Sequence, residues 1–330
     1  MSSISVSKMK IYKDCKLQFK YKYIDKWTPA EEKKEDVTAK GLVLHQCFEN
    51  ILKYENYKDG QPGLPYRQIS EKEVLKIFKK AMEDNQLSVQ AAKDYKLKDG
   101  LVRWLDFKHN YLDKRNNLCF SEKEYKRNLF EVLDPEDEEK AKKAAEERAK
   151  NKLEKEKCST TAILDLLENN GDGTYTIYDY KTPSKANNSN HKLQLCVYAY
   201  MMAVELGLIE FGSEDYQTVA DKFTLYIFYP LLEDERKDYK PFLKKLKFEA
   251  EDVKKAIESL KESELGIREY NFKASASILM PTTLKYCCDW CEYAGSKRQE
   301  INGEIFEGCP LTVWAQIECK HTYKRPEKHY

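Results

Sequence analysis

Two aspartates and a lysine fall within 163-ILDLLENNGDGTYTIYDYKTPS-184, a segment that reads as a single hairpin. Runs 159–168 and 174–182 have strand character and are joined through 169-NNGDG-173, a link rich in turn formers. With the turn centred near Asp172, antiparallel pairing opposes residues whose numbers sum to about 344, as those of Asp165 and Asp179 do. Opposed residues have Cβ atoms roughly 4.5–5.5 Å apart, where like charges destabilise the sheet unless a cation neutralises them. Mg²⁺ suits such a pair, because it takes hard oxygen ligands, often one or two carboxylates plus a substrate phosphate. Lys181 lies two residues beyond Asp179, on the same face as Tyr175 and Ile177, and could orient or deprotonate an attacking water. Two acids, a cation and a lysine make a kit for metal-assisted phosphodiester hydrolysis. The alternative is that both acids sit on a solvent-facing side of the sheet.

The flanking sequence must position these groups. Residues 7–26 read as a lysine-rich helix with Ile11, Tyr12, Cys15 and Phe19 on one face and Ser5 or Ser7 as its cap. Seven lysines there stand against Asp14 and Asp25, interleaved with Tyr12, Phe19, Tyr21, Tyr23 and, just beyond, Trp27. That mixture suits phosphate contact and base stacking on a single strand, or equally a solvated lysine face over an aromatic core. A second helix is expected after Gly41, over 42–54, with His45 and Glu49 on one face. Residues 58–66 read as a loop, 70–114 as mainly helical and 118–133 as β-like. Segment 136–157 is a charged insertion without an apolar stripe, either a solvated helix or disordered, and it docks a protein partner or is merely tolerated. Beyond the hairpin come a helix over 189–207 closed by a glycine, a Pro-terminated strand over 222–230 and an amphipathic helix over 249–265.

Composition bounds the rest. The 330 residues are 41% hydrophobic and 34% charged, with 57 Lys+Arg against 56 Asp+Glu for a net charge of +1. That balance argues against a polycationic binder, while a local basic groove would still serve nucleic acid. No run of about 18 apolar residues is present, so no membrane span is expected. The first residues carry no signal-peptide pattern, which points to an intracellular protein with reduced cysteines.

In order along the chain, several motifs resemble the PD-(D/E)XK nucleases, specifically the RecB-like branch of CRISPR-associated and AddB-type exonuclease domains. The opening 5-SVSKMKIYKDCKLQFKYKYI-24, then 41-GLVLH-45, 163-ILD-165, 179-DYKT-182, 194-QLCVY-198 and a C-terminal C-x-x-C carry the likeness. Ala162 stands where the family often has a glycine, and Glu122 or Glu124 is left open as an upstream acid. The resemblance implies an α/β restriction-endonuclease-like core, a central mixed sheet flanked by helices, with helical N- and C-terminal segments packed together in one domain over 1–330. It implies Asp165, Asp179, His45 and the Tyr180 carbonyl as ligands of Mg²⁺ or Mn²⁺, with Lys181, Gln194 and Tyr198 completing the catalytic set. It also implies a DNA exonuclease of recombination, repair or phage DNA processing, in the cytoplasm of a bacterial or phage-infected cell. The rival is a catalytically inactive nuclease fold kept for DNA binding or assembly.

Part of that family binds a [4Fe–4S] cluster through one N-terminal and three C-terminal cysteines. Here Cys15, Cys288, Cys291 and Cys309 correspond, in a C-terminal segment over 286–319 that would pack on the N-terminal helix. Cys309 lies farther from the C-x-x-C than is usual, with Cys287 and Cys319 as spares and zinc as the lesser metal. Cys47, Cys119, Cys158 and Cys196 sit in apolar patterns and read as small core residues.

Overall fold

The computed structural model describes residues 3–26, 35–55, 69–115, 117–127, 129, 139, 142, 146, 159–183, 189–233, 239–268, 298–301 and 304–307. In chain order, the first elements are β1 (Ser3–Ser5), α1 (Val6–Asp14), α2 (Lys16–Phe19), α3 (Glu35–Tyr54), α4 (Glu71–Asp84), α5 (Val89–Asp94), α6 (Leu97–Phe107) and α7 (Asp113–Arg115). Then follow β2 (Leu118–Arg127), β3 (Ser159–Asn169), β4 (Tyr175–Tyr180), α8 (Ser189–Glu205), α9 (Tyr216–Lys222), β5 (Phe223–Phe228), β6 (Leu243–Leu246), α10 (Ala250–Arg268), β7 (Arg298–Ile301) and β8 (Glu304–Glu307). The chain forms two compact units: residues 1–33, 131–160 and 259–330 in one, and residues 34–130 and 161–258 in the other.

In the first unit, the Ser5 hydroxyl caps α1 by accepting from the Lys8 N–H at 3.3 Å. The helix expected over 7–26 is instead broken at Cys15, whose backbone is extended (φ −157°, ψ 107°), and it resumes as α2 and a π-helical turn over Lys20–Ile24. Tyr12, Phe19 and Tyr21 are buried, so for these three rings the aromatic-core reading holds. Lys13 Nζ donates to Ser259 Oγ at 2.6 Å, and the Tyr12 phenol occupies the space a Cβ on Gly266 of α10 would need. Strands β7 and β8 form an antiparallel hairpin. Residues 139, 142 and 146 of the charged insertion are helical and exposed; its other residues, Trp27 and Cys158 lie outside the described set.

The second unit holds the hairpin. Its sheet is mixed: β3 pairs antiparallel with β4, β4 parallel with β5, and β5 antiparallel with β6, while β2 also joins β3. Alternation along β4 sends Tyr178 and Tyr180 into a core built with α3, α4 and α6, including Phe48, Phe78, Trp104 and Phe107. Ile177 faces the other way and is equally buried, beside Leu225 of β5. Strand β4 is thus covered on both faces, as a strand with a parallel neighbour usually is. Ring contacts tie α3 both to α6 and to the sheet: Phe48 stacks on Trp104 of α6 at 4.5 Å and meets Tyr180 of β4 edge-on at 5.1 Å.

Gly41 lies inside α3, not before it, because the helix begins at Glu35. A Cβ on Gly41 would come within 3.2 Å of Thr182 Oγ1, so glycine lets the helix backbone approach the chain leaving β4. Helix α8 ends with Gly207 at φ +68° and a Leu208 N–H to Ala203 carbonyl bond of 2.8 Å, the closure expected from the glycine. Cys47, Cys119 and Cys196 are buried. Glu168, fully buried on β3, accepts from Arg115 Nε at 2.8 Å, Asn117 Nδ2 at 2.7 Å and the Tyr178 hydroxyl at 2.6 Å. Among the described residues, no helix is long and apolar enough to cross a membrane.

Candidate active site

The β3–β4 turn is set by local chemistry. Gly171 and Gly173 take φ values of +82° and +80°, and the Asn169 and Asp172 side chains accept from the Gly171 and Thr174 N–H groups. The resulting ladder pairs Asn169 with Tyr175, Glu168 with Thr176, Leu167 with Ile177 and Leu166 with Tyr178, so every pair sums to 344. Pairing stops one residue short of Asp165 and Asp179. There the Tyr180 N–H donates to Asp165 Oδ2, so a side chain takes over from the backbone ladder.

Both acids are buried, at 8% exposure for Asp165 and 4% for Asp179, which excludes the solvent-facing alternative. Lys181 Nζ straddles the Asp179 carboxylate, 2.8 Å from Oδ1 and 2.7 Å from Oδ2. From α3, His45 Nδ1 approaches Asp165 Oδ1 at 3.2 Å, and its ring lies 5.8 Å from that of Tyr180. Burial pushes the Asp179 carboxyl up to about 6; the Asp165 charge adds to the rise, while Lys181 and His45 oppose it. The Lys181 backbone is pinned by its N–H to the Phe228 carbonyl of β5 at 2.9 Å. No local sequence signal could have named Phe228, since that anchor depends on the parallel β4–β5 pairing.

From α8, Gln194 Nε2 donates to the Tyr198 hydroxyl at 2.7 Å, as side chains four apart on a helix can. Burial pushes the Tyr198 phenol far above its ordinary value, and the charges of Asp179 and Asp165 push the same way against the Gln194 hydrogen bond. The structure therefore gathers His45, Asp165, Asp179, Lys181, Gln194 and Tyr198 at the C-terminal end of β4. Tyr180 enters through its N–H, and Glu124 is exposed on β2.

Among the described residues, no three His, Cys, Asp or Glu side chains surround a point ready to hold an ion. The contacts give the reason: His45 and the Tyr180 N–H engage the Asp165 oxygens, and Lys181 engages those of Asp179. The donor set nevertheless fits a hard cation. Two buried carboxylates, one of them strongly destabilised as an anion, gain from a positive ion that water does not supply. Cys15 is half-buried, with Sγ accepting from the Gln18 N–H at 3.4 Å at the start of α2; Cys287, Cys288, Cys291, Cys309 and Cys319 lie outside the described residues.

The family model for the PD-(D/E)XK nuclease superfamily matches residues 3–296 of the chain. No curated protein matches the sequence.

Proposed function

The chain belongs to the PD-(D/E)XK nuclease superfamily, and on that premise we propose that it is a divalent-cation-dependent deoxyribonuclease acting from DNA ends. The observation that carries this reading is the joint burial of Asp165 and Asp179 with Lys181 bound to the second. Removing two carboxylates from water costs several kcal/mol per ion, so a purely structural role would favour apolar side chains there. Asp165, Asp179, His45 and the Tyr180 carbonyl would hold Mg²⁺ or Mn²⁺. When bound, that ion supplies positive charge to the phosphate and acidifies water.

The chain's own groups then divide the work. Lys181, held by its backbone bond to Phe228, points its ammonium into the site, where it orients the attacking water and offsets charge growing on the phosphate. The water oxygen bonds to phosphorus as the bridging P–O bond breaks, and the proton that the water gives up ends, through solvent, on the departing alkoxide. Tyr198 stays protonated because burial disfavours its phenolate, and it accepts from Gln194, which leaves its own O–H to donate to a phosphate oxygen. Burial keeps bulk water away and strengthens each of these interactions.

The motif order supports placing the chain in the RecB-like branch, and with it an exonuclease role in recombination, repair or phage DNA processing. The same likeness supports a [4Fe–4S] cluster on Cys15, Cys288, Cys291 and Cys309. End-labelled single- and double-stranded DNA, incubated with Mg²⁺ or Mn²⁺ and with EDTA, tests the catalytic reading. Degradation should require the cation and fall by at least about a hundredfold in Lys181→Ala and Asp179→Ala, the scale of a lost catalytic group. Variants that degrade DNA as the native chain does would show that the site is wrongly assigned. Tight DNA binding without cleavage of any substrate would favour the assembly-subunit reading instead.

A further inference from the structure

Away from the site, helices α4, α5 and the start of α6 enclose a groove of about 620 Å³. Its floor is aliphatic, formed by Leu75, Met82, Leu87, Val89 and Ala92, with Phe78 buried beneath. Leu75 is 40% exposed and Val89 63%, unusual for large apolar side chains that line one cavity. The charged lining is uneven: α4 contributes Lys79 and Glu83, one of each sign, whereas the α5–α6 side contributes Lys93, Lys96 and Lys98 against Asp99 alone. All four lysines are exposed, and none forms an ion pair among the described residues. Lys96 and Gln86, both on the groove, hold left-handed backbones (φ +53° each).

We propose that this groove docks an acidic amphipathic helix of a partner polypeptide. An apolar strip beside one cationic bank, on the α5–α6 side, complements a helix whose apolar stripe is bordered by carboxylates on the edge that meets that bank. Nucleic acid fits less well, because the open floor is aliphatic and offers no exposed ring on which bases could stack. The groove shares no residue with the candidate active site, so docking there would leave the nuclease groups untouched and would serve to recruit or tether.

The test uses the full chain and two fluorescein-labelled synthetic helices of about five turns, identical in their leucine stripe but bearing Glu or Lys on the polar face. Fluorescence anisotropy should show saturable binding of the Glu peptide, weakened by salt, and none of the Lys peptide. Leu75→Glu and Val89→Glu alter exposed positions, so folding should persist while affinity for the Glu peptide drops at least about tenfold. Lys93→Glu with Lys96→Glu should weaken it similarly, and DNA cleavage should match that of the native chain in all these variants. Failure of the Glu peptide to bind, equal binding of the Lys peptide, or affinity unchanged in the variants would overturn the proposal. Phosphatidylglycerol vesicles binding through the same residues, with no binding of the Glu peptide, would assign the groove to lipid instead.

Discussion

Replacing Asp179 with asparagine should stabilise the cation-free protein at neutral pH, and it should do so only above the pH at which the native carboxyl ionises. The Asp179 carboxyl stands at about 6 against an ordinary 3.8, chiefly because it is buried and additionally because Asp165 is near. At 1.36 kcal/mol per pH unit, that rise corresponds to about 3 kcal/mol against the folded state once the group is ionised. Exposure of only 4% leaves little solvent screening to discount. Below about pH 4, both folded and unfolded chains hold the proton and the penalty is absent. Between about 4 and 6 the unfolded chain has released the proton and the folded chain has not, so stability falls as pH rises. Above about 6 the penalty is complete and constant.

Asparagine removes a penalty in which the attraction of Lys181 is already counted, and its amide resembles the protonated acid. Asp179→Asn should therefore gain about 1–3 kcal/mol near pH 8, a sizeable share of a typical 5–15 kcal/mol total. Urea unfolding in EDTA, near pH 8 and near pH 4, reads this directly, and the gain should vanish at the lower pH while nuclease activity is lost at both. A variant less stable than the native chain near pH 8, or a gain that does not change with pH, would refute the electrostatic argument.

Three further outcomes follow from other parts of the molecule. Glu168→Ala strands Arg115, Asn117 and the Tyr178 hydroxyl around a lost carboxylate and should cost about 3 kcal/mol in urea unfolding, with Glu168→Gln costing clearly less. In Gly266→Ala the new methyl would lie 2.2 Å from the Tyr12 phenol oxygen, so overpacking of about 1–3 kcal/mol should exceed the roughly 1 kcal/mol of helix preference gained; adding Tyr12→Phe should recover part of the loss. Protein purified anaerobically should be brown, with broad absorbance near ~400 nm from Cys-ligated iron that Cys291→Ala bleaches; colourless, iron-free protein would remove the cluster.

The hairpin was legible because its register is a local matter. A glycine-rich turn of fixed length determines which residues oppose, and the observed ladder keeps the sum of 344. The depth of the two acids was not legible. Whether Asp179 faces water depends on β5 pairing in parallel beyond it and on α3 and α8, none of which the 159–182 segment encodes. Gly41 misled for a related reason. Glycine disfavours helix interiors and reads as a boundary, yet here the approach of Thr182 makes it the residue the interior of α3 requires. Glu168 alternates onto the core side beside Leu166, and only the folded chain brings Arg115 and Asn117 to satisfy it. At Cys15 the apolar spacing of Tyr12 and Phe19 survives the break because both rings still reach the same core, so periodicity alone could not reveal the interruption.

Three of the buried carboxylates among the described residues divide into two kinds, Glu168 on one side and Asp165 with Asp179 on the other. Glu168 accepts from three donors, one of which, Arg115, also bonds the Tyr111 hydroxyl and Asn170 Oδ1, and it lies at the turn end of the hairpin. A charge so fully satisfied is inert, since any new ligand would have to displace good hydrogen bonds. Asp179 is held by Lys181 alone among the contacts described at its carboxylate, and it remains costly to ionise despite that partner. Asp165 is engaged by a histidine from another element and by a backbone N–H. These contacts compensate the acids enough for the chain to fold, and they leave unsatisfied electrostatic demand at one end of the sheet. Under the proposed function, that residual demand is what a cation and a phosphate would meet, and the same Lys181 that pairs with Asp179 becomes available to the substrate once Asp179 is engaged elsewhere.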